Sequence, residues 1–467
     1  MAINQAGRVA LSHALNGRLL CSVAVAALGG SLLGFDTAVI SGAIHSLTHT
    51  FALTPGKLGI TVSAALWGTV VGAMGAGPFG RKLGARTSLL ILAACYMVSA
   101  IGCAISPSWA LLLLFRVIGG LGMGGSSVIA PVYIAEVAPS AWRGRLVGAF
   151  QINIIAGILL AYFSNYLIGL CSLGVLEWRW ELGVAAIPAA IFLVTLIGNP
   201  PSARWLATQG RRQEARETLR ELGSPDPDAE LALILASLDE AGSAGEDRLF
   251  QWRHRRPITL AILLAMFNQL IGINAVLYYL NDIFAMAGFS RTSQNLQAVA
   301  VGVVMLVATL LALSLIDRFG RRTLLLVGSV GLAVCLAGIA GIFYSRAYEQ
   351  LLLLFVIGYV AFFAFSQGSV IFVYLSEIFP SRVRAQGQSL GCSTHWVMNS
   401  LISAAFPVLA ARSAAGPFFV FFVMVVLQFF AVLLFFPETS GITLEDMQER
   451  IAGESATSSR SKHIALP

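Results

Sequence analysis

The chain has 467 residues, of which 57% are hydrophobic and only 11% are charged, with a mean hydropathy of +0.80; a soluble domain carries about 25% charged residues. So much apolar surface cannot hide inside a water-soluble particle. Its arrangement in blocks of about 20 residues, rather than alternating segments of about 10, excludes an outer-membrane barrel. The net charge of +7 would invite a nucleic-acid partner, but the placement of the charges along the chain excludes that reading.

Hydropathy predicts an all-α membrane protein with twelve spans, at 19–41, 58–79, 87–106, 110–135, 146–168, 181–198, 257–286, 296–317, 323–344, 350–377, 386–411 and 416–436. With the N-terminus in the cytoplasm, 24 of the 30 Lys and Arg fall on that side, nine of them between spans six and seven. This positive-inside bias predicts a multi-pass membrane protein with both termini cytoplasmic. Arg8 and Arg18 ahead of the first apolar run resemble a cleavable signal, yet the run is long enough to span by itself and eleven spans follow. The six cysteines form no CxxC or CxxH spacing, so no disulfide, metal site or other cofactor is expected.

The chain should divide into an N-terminal six-helix bundle at 1–198, a cytoplasmic helical linker at 199–256, and a second six-helix bundle with a tail at 257–467. In the linker the composition turns to Arg, Glu, Gln, Asp and Pro, as in GRRQEARETLRELG at 210–223, which predicts short amphipathic helices. The sequence on either side repeats. Tyr133, Glu136, Pro139 and Arg143 recur as Tyr374, Glu377, Pro380 and Arg384, each offset by 241; Lys82, Gly84 and Arg86 correspond to Arg318, Gly320 and Arg322, each offset by 236. Two like-oriented halves rocking about a central site are one way to build alternating access. The Gly-rich stretch from Gly119 to Gly125 follows no predicted strand and lies inside a span. It therefore reads as close helix packing and not as a nucleotide loop.

Several motifs carry a family resemblance: GFDTAVISGA at 34–43, the run from Arg116 to Gly124, YIAEVAP with RGR at 143–145, PSARWL at 201–206, NQLIGIN at 268–274, DRFGRR at 317–322, SEIFPSRVR at 376–384 and PETSG at 437–441. As a set, spread over nearly the whole chain, they resemble the sugar porter branch of the major facilitator superfamily, and within it the bacterial proton-coupled xylose and glucose symporters. The resemblance implies a monomeric transporter, not an enzyme, that moves a monosaccharide together with a proton across the bilayer. The alternatives left open are a passive sugar uniporter, a proton-coupled transporter of a polyol such as inositol, and a non-transporting sugar sensor.

A carboxylate inside a span costs about 2.5–3.5 kcal/mol even on the lenient insertion scale, so Asp36 asks for a role. Counting residues inward from the span ends places Arg116 at the same depth, roughly 8–9 Å below the surface at about 1.5 Å per residue. The pair is either a structural bridge or a proton site whose affinity changes with the pairing and its hydration. Sugar hydroxyls both donate and accept, so their site needs amides and an aromatic face. Asn268, Gln269 and Asn274 surround Gly272 near the middle of span seven, where a break in the helix would fit a substrate site. His395, Trp396 and Asn399 share a face of span eleven.

By resemblance, Gln151, Gln269, Asn274, Tyr278 and Trp396 match sugar-binding positions of the family, and Asn268 replaces a common Gln. Met305, Phe372 and His395 depart from the family pattern; the His395 ring could either donate to a sugar hydroxyl while neutral, the favoured reading, or titrate near neutrality. Also by resemblance, Glu136, Arg143, Asp317, Arg318, Arg321, Arg322, Glu377 and Arg384 would form a cytoplasmic charge latch. The latch should be weaker in the first half, where Arg81 and Ala85 replace an acid and a base. Glu438 is expected to serve Arg204.

Overall fold

A computed structural model describes residues 16–139, 142–243, 249–380 and 383–440, without the side chains of 239–243, 253, 316, 317 and 385. Arg8, the Asp317 side chain, Arg382 and the tail from 441 onward lie outside the described residues. Among the described residues every regular element is a helix.

Six spans come first: α1 (Gly17–Phe51), α2 (Pro55–Leu83), α3 (Ala85–Ile105), α4 (Trp109–Val137), α5 (Arg143–Leu170), and a sixth made of α6 (Glu177–Gly183) and α7 (Ala186–Ile197). The linker forms α8 (Ala203–Thr208), α9 (Arg212–Glu221) and α10 (Pro227–Ser243). Span seven is α11 (Arg255–Leu270), α12 (Ile273–Tyr278) and α13 (Leu280–Met286). Then follow α14 (Arg291–Phe319), α15 (Arg321–Ser345), a tenth span of α16 (Leu352–Phe365) and α17 (Gln367–Glu377), α18 (Arg384–Arg412) and α19 (Gly416–Phe435).

Among the described residues eleven spans are both long and apolar enough to cross a membrane. The remaining one, α18, has the length, but its Gln, Ser, Thr, His and Asn residues dilute its hydropathy. The first helix runs ten residues beyond the expected end at 41. There Ser46 and Thr50 bond back to the carbonyls of Ala43 and Ser46, so the polar stretch stays helical after its apolar character ends. It stops where Ala52 turns left-handed at φ 47°.

The chain separates into two compact units. The first holds residues 1–245 with 277–282 and 290–302, and the second holds the rest. In the first unit the Gly-rich stretch does pack helices closely: a Cβ on Gly120 or Gly124 would fall onto the Ala65 or Thr69 carbonyl oxygen of α2. The linker helices bury Ala203, Leu206, Ala215 and Leu219 against one another, and Trp205 Nε1 ties them to the Arg81 carbonyl at 3.1 Å. The second unit has its own core, in which Leu260, Leu264, Leu325, Val370, Tyr374 and Val432 meet.

The sequence repeat is matched by local geometry. Gly84 and Gly320 both open their helices at φ 79–80° and ψ 155–156°, a left-handed conformation open to glycine. Tyr133 donates to the Pro200 carbonyl at 2.7 Å, and Tyr374 donates to the Pro437 carbonyl at 3.0 Å.

Candidate functional site

Asp36 on α1 and Arg116 on α4 form an ion pair, with Arg116 Nη1 3.0 Å from Asp36 Oδ1. Matching by depth therefore finds the right partner even though the helix end was misplaced. The guanidinium side is almost closed, at 4% exposure against 17% for the carboxylate. Asp36 Oδ2 has no hydrogen-bond partner. Beside the pair lies a cavity of about 20 Å³, lined by Phe35, Tyr96, Ser99, Cys103, Leu182 and Ala185 among others, with room for about one water. A single charge-assisted bond thus holds the carboxylate, and its other oxygen stays uncommitted beside a small cavity.

The second unit gathers the amides. Span seven breaks at Ile271 and Gly272, where φ is +88°, as expected for a glycine among amides at that depth. Span ten also breaks, at Ser366 with φ −115° and ψ −85°, which the sequence reading did not foresee. Backbone groups freed by a break must find partners in a membrane protein. Tyr359 of α16 donates to the Ile271 carbonyl at 2.8 Å, and Asn268 of α11 donates to the Gln367 carbonyl at 3.4 Å. Each broken span is thus braced by the other.

At this cross-brace Asn274 Nδ2 donates to Gln269 Oε1 at 2.9 Å, and Gln269 Nε2 donates to Asn268 Oδ1 at 2.9 Å while lying 3.2 Å from His395 Nδ1. The neighbours fix which end of the Gln269 amide faces the ring, and a donor there calls for a ring nitrogen with a free lone pair. His395 meets Trp396 edge-on at 5.3 Å and Phe372 at 6.0 Å between ring centroids. Asn399 Oδ1 accepts from Ser403 at 3.1 Å. Gln151 on α5 is half-buried, and Tyr278 is buried at the end of α12; both belong to the first unit. Gln367 was missed: it is fully buried, and neither end of its amide has a hydrogen-bond partner. Its signal in the sequence was a lone amide inside an otherwise apolar span.

The charged helix ends of the second unit form a cluster. Arg321 pairs with Glu377 at 3.0 Å, and Glu377 Oε2 accepts from Thr439 Oγ1 at 2.6 Å. Arg322 Nη2 reaches the Leu433 carbonyl at 2.7 Å, Arg384 Nε donates to the Phe379 carbonyl at 3.5 Å, and Arg318 is exposed. Glu438 was expected to serve Arg204; its carboxylate instead accepts from the backbone N–H groups of Arg321 and Arg322 at 2.8 and 3.0 Å. The cause is the unpaired amides that open α15. Arg204 donates instead to Ser237 at 3.2 Å. In the first unit Glu136 lies with Ser202 and Arg204, and Arg143 is exposed.

Long apolar helices in two units built from one repeated plan, with broken spans braced by amides and one buried Asp–Arg pair, define a membrane transporter of the major facilitator fold. Residues 22–451 match the family described as "Sugar (and other) transporter", and the chain belongs to that family. It is 36% identical over 448 residues to the arabinose-proton symporter of Bacillus subtilis, covering 94% of this chain and 96% of that one. It is 34% identical over 462 residues to the D-xylose-proton symporter of Escherichia coli, covering 91% and 94%. Among solved structures, the inward-open conformation of the xylose transporter XylE from E. coli superposes with a TM-score of 0.83 at 33% identity, covering 92% of this chain and 99% of that one.

Proposed function

We propose that this chain is a proton-coupled monosaccharide symporter for a xylose-like or glucose-like sugar, working by alternating access, with Asp36 as its proton site. Both termini and the linker are cytoplasmic in this reading, and the transporting units are the bundles at 1–198 and 257–467. The observation that carries the reading is the Asp36–Arg116 pair at 3.0 Å, with its second carboxylate oxygen unpartnered beside a small cavity. Protonation of Asp36 removes the charge that holds Arg116, so proton binding and helix pairing are linked. The names of the relatives, symporters for arabinose and for D-xylose, support the same chemistry.

The sugar would be held by Gln151, Asn268, Gln269, Asn274, Tyr278, Phe372, His395, Trp396 and Asn399. The amides supply donors and acceptors, and the rings supply an apolar face for the sugar's C–H edges. The charged helix ends, chiefly Arg321 with Glu377, would serve as the cytoplasmic latch.

The test is uptake in proteoliposomes of pentoses, hexoses and inositol, with and without an inward proton gradient. Wild type should accumulate one of the sugars only with the gradient. Asp36→Asn should abolish uphill accumulation and leave sugar counterflow. Accumulation by Asp36→Asn at the wild-type level would overturn the assignment of the proton site.

A further inference from the structure

The sixth span carries a second carboxylate that the symport reading does not use. Glu181 on α6 is 0% exposed, and neither of its oxygens has a hydrogen-bond partner. Beside it, Asn165 of α5 gives its amide nitrogen to the Val39 carbonyl at 3.0 Å and leaves its own Oδ1 buried and unpartnered. Glu181 Oε1 and Asn165 Cγ each lie 2.7 Å from the point that a Cβ on Gly42 would occupy, so the two side chains flank one spot. A carboxylate with both oxygens unpartnered and no solvent is a costly arrangement. One proton on the Glu181 carboxyl removes the buried charge and gives an O–H donor.

The position along the helix says where such a proton goes. Glu177 and Glu181 lie four residues apart and share one stripe of α6, and Ala185 follows four residues on, in the turn between α6 and α7. At one end Glu177 pairs with Arg291 at 2.9 Å and lines a cavity of about 300 Å³ with Tyr166, Ser172, Thr292 and Asn295. At the other end Ala185, with Leu182, lines the small cavity of Asp36 and Arg116. Glu181 stands between the two cavities, about 6 Å from Glu177 along the axis at 1.5 Å per residue, with its neighbour Leu182 on the wall of the smaller one. The charged and titratable groups around it are Glu177, paired with Arg291, and Arg179 on its own helix, and, on the helices packed against α6, Asp36 with its partner Arg116, His45 and His49 of α1, Cys95, Tyr96 and Cys103 of α3, and Tyr162 and Tyr166 of α5.

We propose that Glu181 is a proton-carrying relay acid that passes a proton from the cavity of Glu177 and Arg291 to Asp36. This rests on Asp36 being the coupling carboxylate. In the step, the Glu181 carboxyl loses its proton through water in the smaller cavity, and the Asp36 carboxylate takes it up. The Glu181 carboxylate is then reprotonated from water in the larger cavity, past the Glu177–Arg291 pair, so charge and protons balance over the cycle.

The test uses the full chain in proteoliposomes with D-xylose and a trapped pH dye. Glu181→Gln should slow proton-driven uptake by about a hundredfold, the scale of a positioned proton donor, while counterflow stays within about twofold. If Glu181→Gln leaves proton-driven uptake and its pH profile at wild type while Asp36→Asn abolishes it, the relay is overturned and the Asp36 reading stands. If both variants leave uptake unchanged, both readings fall. Infrared spectra of the lipid-reconstituted chain give a readout that a purely structural role would not move. A buried protonated carboxylic C=O band should vanish in Glu181→Gln and persist in Asp36→Asn. Should Glu181→Gln fail to reach the membrane, Glu181→Asp keeps the acid and should shift that band; a band unmoved by either substitution overturns the proposal.

Discussion

His395 shows how a neighbouring amide decides what a titratable residue can do. Gln269 presents its N–H to the imidazole because its oxygen is held by Asn274 and its nitrogen also serves Asn268. A doubly protonated ring would place two donors face to face. His395→Gln should therefore transport sugar with an unchanged pH profile and a KM within about threefold of wild type, the equivalent of roughly one hydrogen bond. Initial-rate uptake across a pH series checks this, and a shifted profile would assign His395 a titrating role instead. Much at this scale was legible in advance. Asp36 and Arg116 stood out because charge inside a span is rare, and their equal depth was a matter of counting. Gln367 was legible only as a polar residue in an apolar span: its importance comes from a backbone break beside it, and Ser366 announces no break. The partners of Glu438 were hidden too, because a carboxylate can bond backbone amides that no sequence pattern marks.

At the scale of elements, the broken spans carry the site. Gly272 at φ +88° is backed by Phe421, whose ring atoms would clash with any Cβ there. Gly272→Ala should then suffer twice, through about 1 kcal/mol or more of left-handed backbone strain and through overpacking of about 1–3 kcal/mol. Thermal unfolding in detergent should show the loss, and in a Phe421→Ala background, where the clash is gone, Gly272→Ala should cost only the strain part. A double variant as stable as Phe421→Ala alone would mean that the backbone angle costs nothing. The break was foreseeable because a glycine among amides has little reason to sit in the middle of a span. The extra length of α1 was not, since a hydropathy boundary marks where lipid contact ends and says nothing of where serine and threonine hydroxyls keep a helix going. Likewise α18 is a span by length and by the repeat, while its composition is that of a helix committed to polar contacts.

For the whole molecule, the repeat predicts that equivalent bonds contribute equally and independently. Tyr133 and Tyr374, separated by 241 residues, each give a buried hydroxyl to the carbonyl of the proline that follows the last span of its half. Removing either hydroxyl leaves a carbonyl short of a donor, so Tyr133→Phe and Tyr374→Phe should each lower stability by about 1 kcal/mol. The two bonds lie in different units and share no partner, so the double variant should lose the sum, about 2 kcal/mol. The halves differ one residue beyond those prolines. Glu438 follows Pro437 and caps the helix after Gly320, whereas Pro201 follows Pro200 and offers no acceptor side chain after Gly84, where the Trp205 ring packs instead. Glu438→Ala should consequently cost about 0.5–2 kcal/mol as a lost cap, while Pro201→Ala should stay near neutral. Chemical unfolding of the four single variants and the double variant in one detergent measures all of this. A double variant that loses clearly more than the sum would show that the two bonds are coupled.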